Sequence, residues 1–420
     1  MRRIIFFVVA FFVCTFFPAQ GPAQDFHTPP PENFTLEKIL RHVYIYNPSL
    51  EASRAELRAT HELYPQALAG WKPIVEAETS VYASDVESSN FSGADGATTK
   101  EIDLSITQPL YRGGMTEAET NRSYSLIKAG FGRLLQKEQE VLLNAATAYM
   151  DVIRERTLLN LRISNEKILE QELAAVKERF TAGDVTQTDV RQAQARLARA
   201  KAEHVAASGR LEDSRAAFER VVGFAPDETL YIPGMVFPFP PAIKDMITHA
   251  EEENPALATS KSQQEAAEND IRLRWGELLP QVSAFATYNK QFDPQPGLVD
   301  ESETKTIGVR AKILFYEAGS VRSRVREAKS TASQREQEVS QIRRAIREDI
   351  ASNWSTLLSA RAEISARQEE AEAARAAVEG VREEARMGER TVLDILDADQ
   401  DVLSADAALA RAHRDEVVAS

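Results

Sequence analysis

Hydrophobic and polar positions along this chain alternate with two different periods, and the same succession of periods runs twice. From residue 75, Val75, Ala77, Thr79 and Val81 share one face, and Glu76, Glu78, Ser80 and Tyr82 share the other. Ile102, Leu104 and Ile106 then alternate with Asp103, Ser105 and Thr107. Some 205 to 207 residues later Val282, Ala284, Ala286 and Tyr288 repeat the pattern. Ile307, Val309, Ala311 and Ile313 follow, opposite Gly308, Arg310 and Lys312. A period of two marks strands with one apolar face. It predicts strands at about 73–83, 101–110, 280–289 and 305–314, joined by polar loops at 84–100 and 290–303.

Elsewhere the period lengthens. From Gly114 to about Phe180 the chain has no proline, and Val141, Ala145, Ala148, Val152, Leu159 and Ile163 keep the three-and-four spacing of a coiled-coil seam. Such a helix of about 65 residues is ~100 Å long. Its twin runs from about Ser320 to Arg386. Each meets a glycine, Gly183 or Gly388, the usual helix stop. The chain then returns as helices over 185–222 and 392–420. Ahead of the strands, one short helix starts near Leu36 and another after Asn47-Pro48, running to about Gly70. Proline costs nothing at a first helical position, where its missing N–H has no partner anyway. The matching helix covers 254–278. Laid end to end, 185–222 and 254–278 equal one long helix, and the proline-rich stretch 224–241 between them reads as an irregular belt at mid-height.

The duplication is explicit. Asn47-Pro48-Ser49-Leu50 returns as Asn254-Pro255-Ala256-Leu257, and Tyr111-Arg112-Gly113-Gly114 as Tyr316-Glu317-Ala318-Gly319. Gly183, Thr186 and Asp189 return as Gly388, Thr391 and Asp394. A helix start, a strand end and a hairpin tip recur in one order, which marks an architecture copied within the chain. Repeat one spans 34–223 and repeat two 242–420, with the linker 224–241 between them. By the 205-residue offset Ser420 aligns with Arg215, so the last helix is shorter than its twin.

Residues 1–23 have the form of a secretory signal: Arg2 and Arg3, an apolar run from Ile4 to Phe17, and small residues at Gly21-Pro22-Ala23. The run is short of the ~20 residues of a spanning helix. The only cysteine, Cys14, lies inside it, so the mature chain has no thiol chemistry. Removing the two arginines takes the net charge from −14 to −16. That excludes a nucleic-acid binder of the usual basic-faced kind. The four strands fit two settings. One is a small sheet in a soluble sandwich with a wet charged face. The other is a membrane sheet, since each strand has the roughly nine to eleven residues that cross a bilayer at a tilt and alternates apolar-out, polar-in. In lipid the sheet must close. Four strands cannot close alone, so the membrane setting requires an oligomer.

These residues together resemble the TolC-type outer-membrane channel family, the exit ducts of tripartite efflux pumps and type I secretion systems. The resemblance covers about 34–420. It rests on the two Asn-Pro-x-Leu helix starts, on Gln108-Pro109-Leu110-Tyr111-Arg112-Gly113-Gly114, and on the two tips around Gly183 and Gly388. It implies an α+β membrane protein: a homotrimer with a twelve-stranded outer-membrane β-barrel, continued by a long periplasmic α-helical barrel. It also implies a periplasmic adaptor and an inner-membrane pump of the RND or ABC type as partners. Carried over residue by residue, it implies a gate lock in which Arg390 bonds Thr188 and Asp189. It further implies constriction rings made by Asp394 and Asp397, which lie one helical turn apart on one face. The plain alternatives are an exposed arginine and acids at a helix start, where they are favoured. Many members carry a tyrosine where this chain has Ala385, which implies a looser gate.

The six histidines are scattered, and no catalytic grouping, phosphate loop or zinc spacing is present, so neither enzyme chemistry nor a cofactor is expected. Asp394, Asp397, Asp399 and Asp401 lack the glycine turn of a calcium loop. Trp71, Trp275, Tyr82 and Tyr288 fall near strand ends, where an interfacial girdle and ordinary junction packing are both open. A soluble periplasmic coiled-coil scaffold is the competing functional class. It gives no reason for duplicated strands of spanning length.

Overall fold

The computed structural model describes residues 35–84, 97–227, 230–233, 242–295 and 299–419. The expected signal, residues 1–23, and much of the expected belt lie outside them. Repeat one begins with α1 (Leu36–Tyr46) and α2 (Pro48–His61). Asn47 caps α2 by accepting from the N–H groups of Ser49 and Leu50. Asn254 does the same for Ala256 and Leu257 at the start of α7 (Pro255–Gly276), with the same pair of distances, 2.9 and 3.4 Å. The helix expected to run to Gly70 breaks near residue 62 into α3 (Leu63–Leu68) and a 3-10 turn ending at Trp71. Pro65 has no N–H to continue the ladder.

The four strands are β1 (Ile74–Ser84), β2 (Ala97–Arg112), β3 (Gln281–Gln295) and β4 (Val299–Lys312). They form one antiparallel sheet in the order β1-β2-β3-β4. All but β1 run well past the expected bounds into segments read as loops, because ladder hydrogen bonds need no apolar side chains. Repeat two joins directly to repeat one at the β2–β3 seam, where Leu104 faces Tyr288. Val75, Val81, Ile307 and Val309 stand exposed on one face. The other face carries a polar network in which Asn289 donates to Glu101 and Asp103, and Gln291 to Glu101. Tyr82 shares that polar face, since its neighbour two residues back, Ser80, pairs with Glu101. Of the two readings left open for it, an interfacial girdle on the apolar face therefore does not fit Tyr82. Trp71 and Trp275 are both half exposed where the helices meet the sheet.

Below the sheet run α4 (Met115–Ala182) and α8 (Ser320–Arg386). Alongside them lie α5 (Gln187–Val222), α6 (Ile243–Glu253), α7 and α9 (Val392–Ala419). The turn into α4 needs Gly113 and Gly114 at φ +64° and +76°. At the matching place Ala318 holds φ +50°, a strained choice for a residue with a Cβ. On α4, α7 packs beside the upper half and α5 beside the lower half, as ion pairs Arg122–Asp270 and Arg162–Glu203 show. Gly132 lets α7 approach closely, since a Cβ there would sit 3.1 Å from the carbonyl oxygen of Pro255. At mid-height Tyr149 and Phe218 are fully buried with Ile39, Val43, Leu50 and Val152. The Tyr149 hydroxyl donates to the carbonyl of Tyr231, tying the described part of the belt to α4. Among the described residues no helix is long and apolar enough to cross a membrane.

Candidate functional site at the hairpin tips

The two tips share one backbone frame and one cap. α4 ends at Gly183 with φ +86°, and Asp184 N–H bonds back to Arg179. α8 ends two residues before Gly388 with φ +84°, and Glu389 N–H bonds back to Glu384. Only glycine holds this left-handed position without strain. The next helix starts with a reciprocal cap. Thr186 N–H and Oγ1 donate to Oδ2 of Asp189 at 2.8 Å each, and Asp189 N–H donates to Thr186 Oγ1 at 3.3 Å. Thr391 and Asp394 repeat the motif at 2.8, 2.7 and 3.3 Å. This is a capping box with aspartate in the third position.

The cap bonds depress both carboxyls. Asp189 lies below its ordinary pKa because of the Thr186 side chain and then its backbone. Asp394 is lowered by the Thr391 backbone, then its side chain, with a smaller contribution from Arg390. Both stay ionised at neutral pH. Each cap uses Oδ2, so Oδ1 of either residue is open to a further donor.

Arg390 pairs inside its own tip, Nε donating to Glu384 Oε2 at 2.8 Å. Glu384 holds the guanidinium in its charged form. No hydrogen bond or ion pair joins Arg390 to Thr188 or Asp189 among the described residues of one protomer. Thr188 is exposed on the first turn of α5. Ala385 is buried, and its carbonyl accepts from Arg179 Nη2 at 3.2 Å, linking the ends of α4 and α8. Asp397 accepts from Arg196 Nη2 at 2.5 Å, across from α5.

Just above, the structure assembles a charged knot that the sequence reading missed. Arg382 on α8 donates to Asp399 on α9 at 2.8 Å, and the Asp399 side chain is 6 % exposed. Burial raises the Asp399 carboxyl above its ordinary pKa, against the pull of Arg382. Glu172 on α4 is also raised, first by burial and then by the Asp399 charge, while Arg382 and Arg179 oppose. A signal for part of this knot is present in the sequence. In an antiparallel hairpin, seven residues up one helix face seven residues down the other. Arg382–Asp399 and Arg375–Asp406 stand in that relation, and so do Arg162–Glu203 and Glu155–Arg210 in the first hairpin.

A sheet with an apolar outer face above hairpins ~100 Å long, duplicated within one chain, defines a membrane duct with a long helical extension. Comparison with known proteins agrees. The model of the outer membrane efflux protein family matches residues 41–223 and 246–420. Outer membrane efflux protein BepC of Brucella suis biovar 1 (strain 1330) is 30 % identical over 387 residues, 92 % of this chain and 83 % of BepC. Outer membrane protein TolC of Escherichia coli (strain K12) is 21 % identical over 394 residues, 90 % of this chain and 78 % of TolC. The outer-membrane channel OprN superposes with a TM-score of 0.80 at 20 % identity, covering 91 % of this chain and 87 % of OprN. The chain belongs to the outer membrane efflux protein family. It is an outer-membrane export channel whose helices extend into the periplasm.

Proposed function

We propose that three copies close into one duct that is passive, gated at its periplasmic tips, and driven by an inner-membrane pump of the RND or ABC type through a periplasmic adaptor. The observation that carries this reading is the sheet. β1 and β4 are its two edges and run antiparallel to each other, so β4 of one protomer can pair with β1 of the next, and three four-stranded sheets make a twelve-stranded barrel. Closure removes the open edges that lipid does not tolerate.

The gate lock joins neighbouring protomers. Arg390 uses only Nε within its own tip and its side chain is half exposed. The outer edge of the guanidinium is therefore left for Thr188 and the uncapped Oδ1 of Asp189 of the next protomer. Asp394 and Asp397 lie one turn apart at the start of α9, and three copies of each stack two carboxylate rings, which favour cations wherever their charge is not already paired within the protomer. Single-channel recording in planar bilayers tests this. Wild-type protein gives small, cation-selective steps, and Arg390→Ala enlarges them. Replacing Asp394 and Asp397 together by alanine weakens cation selectivity and block by multivalent cations. Unchanged conductance in Arg390→Ala together with unchanged selectivity in the double variant overturns the gate assignment.

A further inference from the structure

The start of α9 is held to the first hairpin by two kinds of contact. Val392 and Leu396 join Leu169, Val176 and Ala200 in a small apolar cluster. At its rim Arg196 of α5 spans the gap between the repeats. Nη1 donates to the carbonyl of Leu396 at 3.2 Å, and Nη2 donates to Oδ1 of Asp397 at 2.5 Å. One planar guanidinium thus holds a backbone oxygen and the next residue's carboxylate together. A lysine, with a point charge and no fork, cannot reproduce both bonds. The Arg196 side chain is 32 % exposed and that of Asp397 59 %. The pair lies at the edge of a cleft lined by Leu169, Arg199, Glu203 and Gln400, where water has access.

We propose that Arg196 is a latch inside each protomer: it pins the start of α9 to α5 and neutralises Asp397, so its release both loosens the tip and returns a carboxylate to the entrance. The proposal rests on the tips being the gate. It differs from the lock between protomers in residue, in partner and in consequence. While the latch is closed, Asp397 contributes little field at the entrance. Once it opens, three unpaired carboxylates appear together with the wider path.

This yields a test with opposed signs. Arg196→Gln and Asp397→Asn break the same bond from its two ends, so both raise single-channel conductance. Arg196→Gln leaves a bare carboxylate and raises the cation-over-anion permeability ratio. Asp397→Asn leaves a bare guanidinium and lowers it. At low salt a unit charge a few ångström from the ion is worth roughly five-fold in the cation term and the inverse in the anion term, so each ratio shifts by more than about ten-fold. Block by a trivalent cation such as hexamminecobalt(III) strengthens in Arg196→Gln. Arg196→Lys keeps wild-type selectivity with intermediate conductance. A bond that only stabilised the fold would change conductance without opposite selectivity shifts.

The recordings include Arg390→Ala, with heat-resistant oligomers as the check on assembly. Wild-type conductance and selectivity in Arg196→Gln and Asp397→Asn, beside an enlarged Arg390→Ala channel, refute the latch and leave the gate standing. If Arg390→Ala is also without effect, the gate reading falls and the latch with it. Should Arg196→Gln fail to assemble, the conductance of Asp397→Asn decides, because neutralising an unpaired ring acid leaves the tips shut.

Discussion

α4 and α8 are the same helix written twice and used differently. They have 68 and 67 residues, and each is entered from a left-handed glycine. Yet α4 buries 21 residues and α8 only 10. Among the described residues α4 is flanked by α1, α2, α3 and α7 above and by α5 and α9 below, whereas α8 packs chiefly against α6 and α7 above and α9 below. The buried positions of α8 at Leu357, Ala371, Val378 and Ala385 fall at multiples of seven, a single narrow seam. Repeat one therefore holds the protomer's own core, and repeat two keeps a flank open. In the proposed ring that flank meets the next protomer. Equal ancestry with unequal burial is what a closed ring asks of a duplicated chain, because one half must bind inward and the other sideways.

Large-to-small changes test the contrast most strongly. Phe218 is fully buried at mid-height, where α4 and α5 meet α1. Phe218→Ala is expected to cost about 3–5 kcal/mol and to abolish heat-resistant oligomers. Ile346→Ala on α8 is expected to cost about 2 kcal/mol, because its cluster holds only Leu257 and Val339 as fully packed partners. Thermal melts that rank the two equally break the comparison. The hairpin ladders give a second, smaller contrast. Arg382→Ala strands the buried Asp399 carboxylate and is expected to cost about 3 kcal/mol. Arg162→Ala breaks a pair whose side chains are 22 % and 30 % exposed and is expected to cost about 1 kcal/mol or less.

The sequence carried the repeat, the strand faces, the long helices and both tips, because each depends on a short-range rule: period two, period seven, or a glycine after a helix. The strand ends at Gln295 and Val299 were harder to see, because polar residues continue the ladder with no change of pattern. The helix break ahead of Pro65 differs from the expected run to Gly70, although that proline, with no N–H for the ladder, is a local sign of it. At the site, Arg390, Thr188, Asp189, Asp394 and Asp397 were legible only through the family resemblance. Within the chain, Asp189 and Asp394 prove to be caps, and a threonine three residues before each aspartate is a visible sign of that. Arg196 was out of reach, since its partner is 201 residues away and their approach depends on how two hairpins lean together.

Glu172 offers the subtlest test of the second hairpin against the first. Its carboxyl and that of Asp399 both lie above their ordinary range, through burial and then, for Glu172, through the charge of Asp399. A raised carboxyl binds its proton more tightly folded than unfolded. Its ionisation therefore costs stability at neutral pH, and acidification through the raised pKa relieves that cost. These two groups are expected to make the lower helical region melt higher at mildly acidic pH than at pH ~7. Glu172→Gln removes one cost and leaves Arg382 to Asp399 alone. It is expected to raise the melting temperature at neutral pH by the equivalent of up to about 1 kcal/mol, a figure reduced because the side chain is only half buried. The gain vanishes below pH ~4, where wild-type Glu172 is already neutral. A lower melting temperature at neutral pH would mean that the attraction of Glu172 to Arg382 and Arg179 outweighs its burial. The knot would then be a clasp between the hairpins rather than a point of stored repulsion.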